Sequence, residues 1–216
     1  MRQQEVLQKI ITELRADSSI TAVMLMGSAA SGTQTETSDL DLFILGNRNK
    51  YHTEIVDDIL VEYLYYKFDT AQSKLDKHDM EVYHYLGSKI LYDLDGKLMK
   101  LIRTALNKYH NYKTSEKEIA DLKHSLSSYN FELNAAIKDN NILKADFITA
   151  TMSWKAVETV FAANSIPLPP TSRMLQELPN LKITPEQDWF IKLFGKDTKL
   201  RTQTMLNIIN WALSML

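Results

Sequence analysis

The sequence contains no cysteine, only six glycines and five prolines, and no apolar run long enough to cross a bilayer. Without cysteine there is no disulfide framework, no thiolate metal ligand and no thiol nucleophile, and nothing points to an oxidising compartment. The stretch MRQQEVLQKIITELRAD alternates charge with apolar residues and lacks the continuous apolar core of a secretory signal. These absences predict a soluble, cytoplasmic protein with no membrane partner. An excess of positive charge is missing too: 25 Lys and Arg stand against 27 Asp and Glu. Residues 1–112 hold 13 basic and 16 acidic side chains, and residues 113–216 hold 12 and 11. No clustered basic stripe is visible, which argues against long nucleic acid as a partner.

With 216 residues the chain can form one compact body or two small ones, either able to bury a core. The first segment reads as a helix, with Val6, Leu7, Ile10, Ile11 and Leu14 on one face. Four strand candidates follow: ITAVMLM from Ile20, LDLFIL from Leu40, ILVEYLYYKF from Ile59 and KILYDLDG from Lys89. KLMKLIRTALNKY then reads as a helix. Beyond residue 112 the period is helical throughout. Ser115 and Glu118 have capping-box spacing, and a second helix is predicted over about 143–163, interrupted by SIPLPP. Thr184, Pro185 and Gln187 suggest a third helix closed by Gly195, and Asp197 suggests the cap of a last one. The fold class this predicts is α+β: a mixed-sheet domain over residues 1–112, then an all-α bundle over 113–216 that would bind an acceptor.

The chemistry is concentrated in MLMGSAASGTQTETSDLDLFIL, Met24 to Leu45. Acid-x-acid pairs recur elsewhere, as Asp79/Glu81, Asp93/Asp95 and Glu116/Glu118, and alone mean nothing. Asp39 and Asp41 differ in context, standing at the mouth of a strand that follows another strand and a Gly-Ser turn. Residues two apart on a strand share a face, so both carboxylates can reach one cation. Hard oxygen donors suit Mg²⁺, which completes its shell with water and phosphate oxygens. Glycine at position 27 lets backbone N–H groups approach an anion, and Ser28 adds a hydroxyl, so nucleotide phosphates could lie between turn and metal. Glu62, the one charge within Ile59 to Tyr66, is the natural third ligand or base. The plainer reading is a strand turn followed by a solvated Asp pair. Gly87/Ser88 with Asp93/Asp95 lacks the residues for a turn, a helix and a return strand, and reads as a strand ending in an Asp-Gly turn. Arg103 and His110 are read as part of a closing helix, the five histidines as surface or interface residues, and Trp154, Trp189 and Trp211 as core.

Gly-Ser, ten residues, Asp-Leu-Asp and an isolated acid on a later strand resemble the nucleotidyltransferase superfamily that includes DNA polymerase beta. More narrowly, the chain is similar to small bacterial antibiotic nucleotidyltransferases, in which such a domain precedes a helical one. The resemblance implies that Gly27 and Ser28 contact a nucleoside triphosphate, that Asp39 and Asp41 bind Mg²⁺, and that Glu62 completes the metal site or acts as base. Relatives commonly carry an arginine where this chain has Ser31, so an arginine contact to phosphate is not implied. The function implied is Mg²⁺-dependent transfer of a nucleoside monophosphate, AMP first among them, from ATP or another nucleoside triphosphate to a hydroxyl. The acceptor expected is a small molecule such as an aminoglycoside or lincosamide, with pyrophosphate released. The alternatives are an antitoxin-type enzyme adenylylating a protein or RNA, or a non-catalytic nucleotide-binding module. Glu132 or Glu158 of the helical half could replace Glu62 as base, and a homodimer is compatible with the sequence.

Overall fold

The structure, a computed structural model, describes residues 2–216. The chain divides into two compact units, Met1–Asn111 and Tyr112–Leu216.

The first unit runs α1 (Arg2–Ala16), β1 (Ile20–Leu25), α2 (Gly27–Ser31), β2 (Leu40–Gly46), β3 (Lys50–Val56), β4 (Ile59–Tyr66), α3 (Phe68–Lys77), α4 (Val82–Tyr85), β5 (Lys89–Asp93) and α5 (Lys97–His110). The strands form one mixed sheet in the order β3-β4-β2-β1-β5. The β2/β4 pair is parallel and the other pairs are antiparallel. Each face is covered. Val6, Ile10 and Leu14 of α1 pack with Leu40, Leu42, Ile44, Val61 and Tyr63 on one side. Met24, Phe43 and Leu45 pack with Leu75, Val82, Tyr85, Leu98 and Leu101 on the other. Burial on both faces is why β2 reads as an almost unbroken apolar run. It also makes Asp41, which alternates with Leu40 and Leu42, belong to the α3–α5 face.

Among the described residues there are five strands, not four: β3 is additional to the sequence reading. It is an edge strand, mostly exposed, with no apolar alternation to reveal it. It joins β4 through Asp57 and Asp58, both at positive φ (50° and 60°), a primed hairpin turn without the usual glycine.

The second unit contains α6 (Glu116–Lys138), α7 (Ile142–Ala163), α8 (Thr171–Glu177), α9 (Trp189–Leu193) and α10 (Thr198–Met215). Leu126, Leu133, Met152, Val157, Phe161, Leu193 and Ile208 are in its core. Ser115 forms the capping box: its hydroxyl accepts from Glu118 N at 3.2 Å, and its own N–H donates to the Glu118 carboxylate at 2.8 Å. Asp197 caps α10 by accepting from Lys199 N and Leu200 N. The helix expected to open at Thr184 does not form there: α9 begins only at Trp189, after Asp188 in the left-handed region. Asn164 holds the preceding segment instead, accepting from Lys182 N and Ile183 N and donating to the Ile183 carbonyl. Trp189 is buried as expected, whereas Trp154 is 40% exposed, because α7 turns its other face to the core. Among the described residues no helix is long and apolar enough to cross a membrane.

Candidate active site

Strand β1 ends at Leu25, and the chain turns at once into the single-turn helix α2. The Met26 N–H donates to the Asp41 carbonyl at 2.8 Å, which ties the start of the turn to the start of β2. Gly27 is required here for two independent reasons. Its φ is +64°, in the left-handed region, and a Cβ on it would collide with Asp41 Oδ2. The turn backbone therefore lies directly against that carboxylate. Ser28 follows in the first turn of α2, where backbone N–H groups lack intrahelical partners. Ser31 donates to the carbonyls of Gly27 and Ser28, at 3.3 and 3.2 Å, so its hydroxyl closes α2 instead of reaching outward as an arginine there would.

The three acids come from two strands. Asp39 immediately precedes β2, Asp41 is within it, and Glu62 on β4 is the register partner of Asp41 across the parallel pair. Asp39, Asp41 and Glu62 thus share the α3–α5 face of the sheet. Burial first, then the charges of Asp39 and Glu62, push the Asp41 carboxyl up to about 6, while His84 acts in the opposite direction. A like-charged carboxylate group kept partly out of water is the kind of hard oxygen set whose charge a divalent cation would neutralise. Among the described residues no group of three or more His, Asp or Glu side chains is placed to hold a metal ion.

Two groups around this site were not singled out from sequence. Desolvation and the neighbouring carboxylates Glu62, Asp41 and Asp39 raise the pKa of the Tyr51 hydroxyl on β3. On the helical layer His84 Nδ1 lies 3.1 Å from Glu81 Oε2, and Lys74 Nζ lies 3.9 Å from Glu81 Oε1. The hydrogen bond with His84 is the main reason the Glu81 carboxyl titrates below its usual range. His84, read from sequence as a surface or interface residue, acts electrostatically on Asp41. Its spacing from the motif carries no signal, since helix packing brings it near.

The remaining acids are used otherwise. Asp93 accepts from Leu98 N and Met99 N at the start of α5, and Asp95 pairs with Lys97 at 2.7 Å. Glu132 is exposed on α6, and Glu158 pairs with Lys155 at 2.6 Å on α7.

The sequence model of the nucleotidyltransferase domain family matches residues 7–118, more than half of the chain. Among solved structures, a nucleotidyltransferase-like protein from Exiguobacterium sibiricum 255-15 is similar at 9% identity and a TM-score of 0.49, covering 98% of this chain and 74% of that one. A comparison with curated proteins returns no match. The chain belongs to the nucleotidyltransferase domain family, transferases that move a nucleoside monophosphate from a nucleoside triphosphate.

Proposed function

We propose that the protein transfers a nucleoside monophosphate, AMP first among them, from a nucleoside triphosphate to a hydroxyl of a small acceptor. The reaction releases pyrophosphate, and Asp39, Asp41 and Glu62 form its acidic centre. The observation that carries this reading is the register pairing of Asp41 with Glu62 beside a glycine whose backbone lies against the Asp41 carboxylate. Gly27 and Ser28 present backbone N–H groups and a hydroxyl to the triphosphate. Glu62 takes the proton of the acceptor hydroxyl or completes the carboxylate set, and alignment of acceptor oxygen with the α-phosphorus supplies much of the acceleration. A magnesium ion bound by these acids would neutralise their charge and that of the phosphates.

A small acceptor is favoured because neither half of the chain is basic. The helical half, residues 113–216, is assigned to acceptor binding because all but its first six residues lie outside the match to the nucleotidyltransferase domain, which ends at residue 118. Aminoglycosides and lincosamides, which are rich in hydroxyls, are the first acceptors to try. The test is incubation with Mg²⁺, each α-labelled nucleoside triphosphate and pooled acceptors, beside an Asp41→Asn control. Labelled acceptor with the parent alone is the expected result, and pyrophosphate release that survives the substitution sinks the mechanism.

A further inference from the structure

The first unit contains a cleft on the face of the sheet turned away from the acids. Its volume is about 460 Å³, within the range of about 300–1,000 Å³ usual for small-molecule sites. Leu7, Leu25, Leu40 and Leu91 form its apolar floor and belong to the α1 side of the sheet, whereas Asp41 belongs to the other. Ala29 and Ala30 of α2 form one wall, continued by Gly32, where nothing lies within 4 Å of the position a Cβ would take. Gln3 of α1 fixes the chain beyond α2 by donating to the carbonyls of Thr35 and Ser38, at 3.0 and 2.7 Å. Gln34 also lines the cleft, and its Oε1 is buried without a hydrogen-bond partner, one of two such side-chain atoms among the described residues. A buried acceptor left without a donor costs its desolvation free energy, so Gln34 Oε1 marks a place for a ligand N–H.

The lining selects the class of ligand. No carboxylate faces the cleft and Lys89 is its single charged residue, so a metal ion, an ammonium ligand and a triphosphate are all poorly matched. Gln3, Gln4, Gln8 and Gln34 supply amides instead. A glutamine amide sets a donor beside an acceptor, the complement of an amine next to a ring nitrogen, which adenine presents at N6 and N7. The aliphatic floor accepts the flat face of such a ring, and exposed Lys89 can meet one anionic group. We propose that this cleft is a second ligand site, which binds an adenine nucleoside or its monophosphate with the base amine donating to Gln34 Oε1. Its wall is α2, which begins at Gly27 and Ser28, so a ligand held there supports the turn from behind. Binding in the cleft requires neither Mg²⁺ nor the acids and stands apart from nucleotidyl transfer.

The test is calorimetric titration of the full-length protein with adenosine, AMP and inosine in EDTA, which withholds Mg²⁺ from the acids. The expected result is one adenosine or AMP per chain. Inosine should bind at least about tenfold more weakly, because its ring carbonyl would meet Gln34 Oε1 acceptor to acceptor. AMP tighter than adenosine, with the difference lost in Lys89→Ala, identifies the monophosphate as the ligand; equal affinities identify the nucleoside. Gln34→Leu removes the buried acceptor while keeping its bulk, and should weaken adenosine by at least about tenfold. Leu7→Trp, which fills the cleft from α1, should weaken it as well, with circular dichroism verifying both folds. Asp41→Asn should bind like the parent. If neither adenosine nor AMP binds, water is the partner of Gln34 and the inference is overturned. Affinity unchanged in Gln34→Leu, or adenosine and inosine binding alike, overturns it too, as does loss of binding in Asp41→Asn, which puts the ligand on the acid face. None of these titrations involves turnover, so their failure leaves the nucleotidyl-transfer reading to its own test.

Discussion

Asp41 and Glu62 are register partners across the one parallel strand pair of the sheet, so two carboxylates 21 positions apart in sequence stand side by side on one face. Neighbouring strands run about 4.8 Å apart, which makes mutual repulsion unavoidable when both are ionised. That repulsion, added to burial, holds the Asp41 proton up to about pH 6.

The pH dependence of stability follows from this. A carboxyl raised from 3.8 to about 6 in the fold binds protons that the unfolded chain has lost, so stability falls as pH rises through that window and stays lower above it. In metal-free buffer Asp41→Asn should therefore be more stable than the parent above pH 6. We expect about 1–2 kcal/mol after discounting for solvent screening, shrinking towards zero below pH 4. Urea unfolding at several pH values checks it, and a variant less stable than the parent at pH 7.5 contradicts it.

Cation binding should reverse the same penalty. Mg²⁺ with a nucleoside triphosphate is expected to raise the melting temperature of the parent, since a ligand at a hundred times its Kd adds about 2.7 kcal/mol. Asp39→Asn and Asp41→Asn should show little of this shift. Differential scanning fluorimetry reads both.

Gly27→Ala combines a disfavoured positive φ with a steric clash against Asp41 Oδ2. A loss of about 1–3 kcal/mol is expected from the backbone alone, together with weakened nucleotide binding as the carboxylate is displaced. Urea titration and calorimetric binding separate the two. Wild-type affinity in this variant would mean that the turn does not face the ligand.

Glu62→Gln should lower transfer to an added acceptor by about 10²–10⁴ if Glu62 takes the acceptor's proton. Steady-state rates across pH, with the fold checked by circular dichroism, give the answer. Unchanged kcat with altered Mg²⁺ dependence would instead make Glu62 a ligand.

The β3–β4 turn offers a stabilising change. Asp57 and Asp58 both pay for a left-handed backbone, and Asn-Gly fits such a turn better. The double substitution should raise stability by about 0.5–1 kcal/mol even though it removes the exposed Arg2–Asp58 pair at 2.6 Å, which contributes little. Thermal unfolding checks it.

The strands β1, β2, β4 and β5, the helices carrying strong caps at Ser115 and Asp197, and the mixed-sheet then all-helical order were legible because each is written locally, in periodicity or in a side chain a few residues from its partner. The acids Asp39, Asp41 and Glu62 stood out for the same reason: charge interrupting an apolar pattern is visible along the chain. Strand β3 was not, because an edge strand exposed on both faces carries no such pattern. The expected helix at Thr184 failed because Asn164, 18 and 19 residues away, holds Lys182 and Ile183 in an irregular path, a tertiary contact overriding local capping.

What the sequence determined by itself, then, was which residues could carry the chemistry and which strand each occupied. Only the tertiary structure decided that Asp41 and Glu62 are neighbours in register, that Gly27 touches Asp41, and that His84 acts on Asp41 from the helical layer. Strand order and register arise from packing both faces of the sheet at once, against α1 on one side and α3–α5 on the other. No short stretch of sequence contains that constraint.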